Sequence, residues 1–179
     1  MTTFEALGSV YHASKPRDLR LSIFSLVRSF TVFIPIILVI DGPISDDLES
    51  CIASISKIID LRICRLEFNI GFGLALSHGM SFCKADYIIR FDTDDINNFN
   101  RFHVIEDLIA NNPDVDIFSS VVTEFISSDA KFCESTPKNL PLTCGKIVKA
   151  MNYMNPINHP SVVFKRVSIE SVGGYQDCK

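Results

Sequence analysis

At 179 residues, with 47% hydrophobic and 21% charged side chains, the chain is long and apolar enough to bury a core, which excludes disordered and fibrous classes. A formal net charge of −4, a pI near 5.5 and scattered lysines and arginines exclude a broad basic surface, so no nucleic-acid partner is expected. Cys51, Cys64, Cys83, Cys133, Cys144 and Cys178 form no C-x-x-C pair; they read as reduced, buried thiols of a cytoplasmic protein rather than a zinc or disulfide framework.

The N-terminus lacks a basic region followed by a long apolar one, so no signal peptide is read there. A first strand is expected over residues 4–9. "FTVFIPIILVI" is too short for the roughly 20 residues of a membrane span and contains Pro35, so it reads as a loop end entering a buried strand at 36–40. Any membrane association would be peripheral.

Leu48, Ile52, Ile55 and Ile59 recur at helical spacing behind a cap at Ser45 or Asp46. A strand at 63–68 precedes a helix carrying Leu74, Ala75, Met80 and Cys83. A strand at 87–91 precedes one carrying Val104, Leu108 and Ile109, with Asn100 as its cap. A strand is expected at 115–121, followed by a polar, proline-containing surface excursion over 127–145. "KIVKAMNYM" reads as a helix, and "NPINHPSVVFKR" as a loop before a last strand at 161–164. This alternation predicts one α/β domain over residues 1–179, with a mostly parallel central sheet flanked by helices.

Ligands of such sheets bind outside the carboxyl ends of the strands. The polar signals gather there: Tyr11, Asp41, Asn69 to Gly73, and the aspartates of "RFDTDDINNFNRF". Asp92, Asp94 and Asp95 repel one another unless solvated, protonated or neutralised, and Mg²⁺ or Mn²⁺ prefers such oxygen ligands. A solvated turn is the plainer alternative. Asp41 precedes a Gly-Pro turn, and its carboxylate could accept hydrogen bonds from a base or ribose; taken alone the motif reads first as an ordinary turn. "NIGFG" has two glycines of a dinucleotide fingerprint, but Leu76 stands where the third belongs, leaving close backbone packing as the alternative. His159 could ligate metal or bind phosphate, or be a loop histidine held by neighbouring asparagines.

In order, "SVYHASKPRDLRLSIFSL", "IILVIDGPI", "NIGFGLALSHGM", "YIIRFDTDDINNFNRF", "NPINHPSVVFKR" and "GGYQD" resemble the family 2 glycosyltransferases of GT-A fold, especially bacterial enzymes of capsule, exopolysaccharide and O-antigen assembly. The resemblance implies a nucleotide-sugar donor, UDP-linked, a saccharide or lipid-linked saccharide acceptor, and Mn²⁺ or Mg²⁺ as cofactor. It implies a cytoplasmic location at the inner face of the membrane. It places Val10 and Tyr11 against the nucleobase, which bonds to Asp41, with Asn69 and Gly71 lining the pocket and Arg90 nearby. Asp92, Asp94 and Asp95 look like the family's DxD-type motif, in which one carboxylate meets the ribose and the others hold the cation; the resemblance sets Asp92 and Asp94 on the donor and Asp94 with Asp95 on the metal side. His159, Gly173 and Gly174 fall toward the acceptor side.

Relatives usually continue beyond the GGY segment to an acidic pair and a helix that supply the general base and acceptor contacts, whereas this chain stops at "GGYQDCK". The resemblance therefore implies a domain lacking that segment, with Asp177 a weak candidate for the base. Inverting displacement is the expected chemistry. A degenerate protein that binds nucleotide-sugar without efficient turnover is the alternative. A haloacid-dehalogenase-like phosphatase also places D-x-D after a strand, but it expects a small residue and Thr or Val where Asp95 and Ile96 stand.

Overall fold

The computed structural model describes residues 2–128, 131–134 and 140–176. Four parallel strands form its centre: β1 (Phe4–Tyr11), β2 (Ile36–Asp41), β3 (Leu61–Leu66) and β4 (Tyr87–Arg90). They are joined by helices α1 (Pro16–Ser29), α2 (Asp46–Ser56) and α3 (Phe72–Met80). After α4 (Arg101–Asn111), the chain adds β5 (Ile117–Phe118), a separate hairpin of β6 (Phe125–Ser128) and β7 (Lys131–Glu134), α5 (Cys144–Ala150), β8 (Val163–Lys165) and α6 (Arg166–Ser171).

The sheet order is β3-β2-β1-β4-β8-β5, with β8 antiparallel to both of its neighbours. Strand alternation divides the apolar residues between two cores. Ala6, Val10, Leu38, Ile40, Ile89 and Phe91 meet α1, α2 and α4 on one face. Leu7, Ile37, Val39 and Ile88 meet Ala75, Leu76 and Met80 of α3, with Phe164, on the other. The first connections run outward from β1 through β2 to β3, and the chain then returns to place β4 on the other side of β1. That reversal opens a crevice at the carboxyl ends of β1 and β4.

Several expectations shift in detail. The strand expected at 115–121 contracts to Ile117–Phe118, because this edge has one neighbour and Val115, Ile117 and Val121 remain exposed. The last strand begins at Val163, since His159–Ser161 form a 3-10 turn. In α4 the buried face is Phe102, Ile105 and Ile109; Val104 and Leu108 point outward. Ser45 caps α2 through its hydroxyl, which accepts from Leu48 N at 3.3 Å, whereas Asn100 makes no side-chain cap.

Cys51, Cys64 and Cys83 are free and buried, but Cys144 is exposed at the start of a short helix; the Cys133 side chain and Cys178 lie outside the described residues. Burial pushes the Cys83 thiol up to about 12, so it stays protonated and unreactive. Among the described residues no helix is long and apolar enough to cross a membrane.

Candidate functional site

Three strand ends build the crevice. Tyr11 and Asp41 are register partners at the ends of β1 and β2. Val10 is a core residue at 1% exposure, so it supports the strand end from below instead of facing a base, while Tyr11 stays half exposed at the rim. Its ring meets His12 edge-on at 5.1 Å.

Asp41 is buried, and both carboxylate oxygens are engaged: Oδ1 accepts from Ile70 N at 2.8 Å and Oδ2 from Gly71 N at 3.1 Å. Asn69 Nδ2 donates to the Asp41 carbonyl at 3.2 Å. Asp41 therefore fixes the loop leading into α3, and a base would have to share an acceptor already in use. Gly42 makes this docking possible: its φ is +82°, and a Cβ there would lie 2.5 Å from Asn69 N.

Gly71, at φ +94°, begins α3 with open space above it, whereas a Cβ on Gly73 would meet the Gln176 carbonyl at 2.8 Å. The two glycines thus serve the turn and close backbone packing. They do not build a dinucleotide loop.

The acidic turn follows β4 and is held from several sides. Thr93 Oγ1 donates to the Ser9 carbonyl at 3.0 Å, Ser22 Oγ to the Asp92 carbonyl at 2.7 Å, and Asn97 N to Ser25 Oγ at 2.9 Å. Asp94 is exposed and Asp95 half-buried. Burial, reinforced by the charges of Asp92 and Asp94, pushes the Asp95 carboxyl up to about 6. No three His, Cys, Asp or Glu side chains among the described residues converge as a cation cage. The turn carries one exposed and one half-buried carboxylate crowded by like charge, and such oxygens are the ligand type that Mg²⁺ or Mn²⁺ prefers.

Arg90, expected among the donor-binding residues, lies behind the turn at 0% exposure, so it is near the site without facing a ligand. Its Nη1 donates to the carbonyls of Leu7 at 2.5 Å and Phe91 at 2.7 Å, and Nη2 pairs with Asp92 Oδ1. Burial lowers its pKa against the upward pull of Asp92. Arg101 braces the same place, donating through Nη2 to the carbonyls of Arg90 at 2.5 Å and Pro160 at 3.0 Å. Burial and the neighbouring Arg90 bring it down to about 10.

His159 and the glycine turn close the back of this cluster. His159 Nε2 and Tyr175 Oη are 3.1 Å apart, and the His159 ring meets Phe72 and Tyr175 edge-on at 5.3 and 5.6 Å. Burial, then Arg90, lowers His159 to about 4, which keeps it neutral; burial pushes Tyr175 up to about 12. Gly173 and Gly174, at φ +96° and +68°, end α6 and turn the chain so that Tyr175 points inward. Asp177 lies outside the described residues.

The structure thus gathers Tyr11, Asp41, Gly71, Asp92, Asp94 and Asp95 at one sheet edge, with Arg90 and His159 beneath them. Sequence reasoning gave no role to Ser22, Ser25, Thr93, Arg101 or Tyr175. Arg101 and Tyr175 stand inside quoted motifs, but their partners are carbonyls and a histidine distant in the chain.

The family model described as Glycosyl transferase family 2 matches residues 10–168. An Escherichia coli relative named UDP-Gal:alpha-D-GlcNAc-diphosphoundecaprenol beta-1,3-galactosyltransferase is 34% identical over 174 residues, 96% of this chain and 62% of its own. The amylovoran biosynthesis glycosyltransferase AmsE of Erwinia amylovora is 33% identical over 173 residues, 97% of this chain and 64% of its own. The chain therefore spans less than two thirds of these curated relatives.

S. aureus TarS 1–349 in complex with UDP-GlcNAc superposes with a TM-score of 0.73 at 12% identity, covering 98% of this chain and 49% of that one. The mannosyltransferase PcManGT from Pyrobaculum calidifontis, in complex with GDP-Man and Mn²⁺, gives 0.70 at 11% identity, covering 97% and 47%. At such identities the shared property is the fold.

Proposed function

Because the chain belongs to glycosyl transferase family 2 and has the GT-A fold, we propose that it binds a nucleotide-diphosphate sugar, UDP-linked, and serves sugar transfer to a saccharide acceptor in bacterial surface polysaccharide synthesis. The observation that carries this reading is the acidic turn, held open at the β1/β4 crevice beside the loop that Asp41 fixes. The names of the two curated relatives support the donor and the polysaccharide setting, and that of the first supports a lipid-linked acceptor. Reaching such an acceptor would place the protein at the inner membrane face.

Each part of the crevice has a chemical task. Tyr11 offers an exposed aromatic face for the base, and Asp92, anchored by Arg90, offers a carboxylate oxygen to the ribose hydroxyls. Asp94 and Asp95 would hold a divalent cation, which supplies positive charge to the diphosphate leaving group. The manganese complex of the mannosyltransferase of like fold supports that assignment. The acceptor hydroxyl attacks the anomeric carbon from the side opposite the diphosphate, so the configuration inverts; a base takes its proton.

Titration calorimetry of UDP with and without Mn²⁺ tests the reading. Metal-dependent binding is expected, and the double substitution Asp94→Asn, Asp95→Asn should weaken it by about a hundredfold, two charge-assisted contacts being lost. Unchanged metal-dependent affinity in the folded double variant would overturn the assignment.

A further inference from the structure

A fully buried guanidinium is costly unless its donors are matched, and here the matching is directional. Arg90 ties together the two strands that open the crevice, through the Leu7 carbonyl of β1 and the Phe91 carbonyl just after β4. Its remaining Nη pairs with Asp92 Oδ1, and the Asp92 side chain is 27% exposed. The guanidinium carbon also sits 5.3 Å from the centre of the Phe72 ring, at the first residue of α3.

Behind Phe72 the wall continues through His159 to Tyr175, which the glycine turn swings inward and which also touches Phe164. Gly73 admits the Gln176 carbonyl where any side chain would collide, so the segment after the glycine turn packs directly against the start of α3. This aromatic wall covers a cation whose Nε has no hydrogen-bond partner among the described residues.

We infer that Arg90 is a positioning residue, backed by His159 and Tyr175, which aims the Asp92 carboxylate at the ribose hydroxyls and so sets how strongly the site distinguishes ribose from deoxyribose. The inference rests on the nucleotide-donor reading above. It also moves His159 and the Gly173–Gly174 turn from the acceptor side to the rear of the donor site. Arg90 touches no substrate; its effect passes through Asp92.

The test compares UDP with 2′,3′-dideoxy-UDP by calorimetry in the presence of Mn²⁺. The unsubstituted protein should prefer UDP by about tenfold, as expected for hydrogen bonds to a charged acceptor. In Arg90→Lys the charge remains but the fork is lost, and that preference should collapse to near unity while dideoxy-UDP still binds in a metal-dependent way. Tyr175→Phe keeps the ring and removes the hydroxyl bonded to His159; about half of the preference, on a logarithmic scale, should go.

A merely structural role would weaken both nucleotides alike and leave their ratio unchanged, which would overturn the inference. If Arg90→Lys fails to give a cooperative melt, Tyr175→Phe decides: an unaltered ratio there refutes the coupling. Failure of UDP to bind the unsubstituted protein at all would instead refute the donor reading.

Discussion

The part of the chain before residue 111 and the part after it are built differently. Before it, four parallel strands of four to eight residues share two continuous cores. After it, β5 and β8 have two and three residues, α5 and α6 seven and six, and Leu142, Val148, Met151, Tyr153 and Val172 are exposed. The earlier part specifies itself by burial. Among the described residues, the later part adds only Val162, Val163 and Phe164, of β8 and its approach, to the buried members of those cores and is further pinned by individual polar contacts, such as Ser161 Oγ to the Ser120 and Asn158 carbonyls and Lys165 Nζ to the Pro113 carbonyl.

If that contrast is right, truncating the β2 side chain in Leu38→Ala should cost about 3 kcal/mol in urea unfolding, because a cavity opens in a core that cannot relax. A loss under about 1 kcal/mol would mean that the parallel half is looser than its burial indicates. Gly42→Ala should come next, at about 2 kcal/mol, since the substituted residue must both keep a left-handed φ and displace the Asn69 backbone.

His159 provides a smaller, pH-dependent test at the seam between the halves. Its folded pKa, about 4, lies below its ordinary 6.5, so in that interval the unfolded chain binds more protons than the folded one. The stability associated with neutral His159 is present above about pH 6.5 and is lost as pH falls toward about 4. Going from about pH 7 to about pH 5 should cost about 1 kcal/mol, after allowance for partial exposure, and His159→Gln should flatten that part of the profile. The smallest effect is expected from Val148→Ser on exposed α5, within about 0.5 kcal/mol; a larger loss would show that this helix is packed in solution.

The same contrast governs what could be read from the sequence. "IILVI" and "YIIRF" announce central strands because both faces of the sheet are covered, so unbroken apolar runs are required. The acidic turn was legible because like charges concentrated after a strand have few structural explanations. Short edge strands carry no such signal: the two residue pairs that join β5 to β8 leave Ile117 and Val121 partly in water, and their sequence suggests more strand than forms.

Arg90 and Asp41 show a different barrier. Their sequence positions suggested contact with a ligand, yet their partners are the backbone groups of Leu7, Phe91, Ile70 and Gly71, which no side-chain pattern records. Val10 and Tyr11 show a third barrier: neighbouring residues of one strand face opposite sides, and packing puts Val10 inside and Tyr11 outside.

The position of β1 in the sheet has a consequence for how the chain is made. It leaves the ribosome before the other strands of this sheet, yet one of its two edges pairs with β4, Phe4 meeting Tyr87 and Leu7 meeting Arg90 across 83 residues. Until that length has been synthesised, β1 carries an unpaired edge and an apolar flank including Leu7. Such late closure of parallel strands is slow and exposes sticky intermediates. Nascent chains should therefore depend on chaperone protection until the Asp92–Asp95 turn has emerged, so completion of the four parallel strands coincides with assembly of the acidic turn.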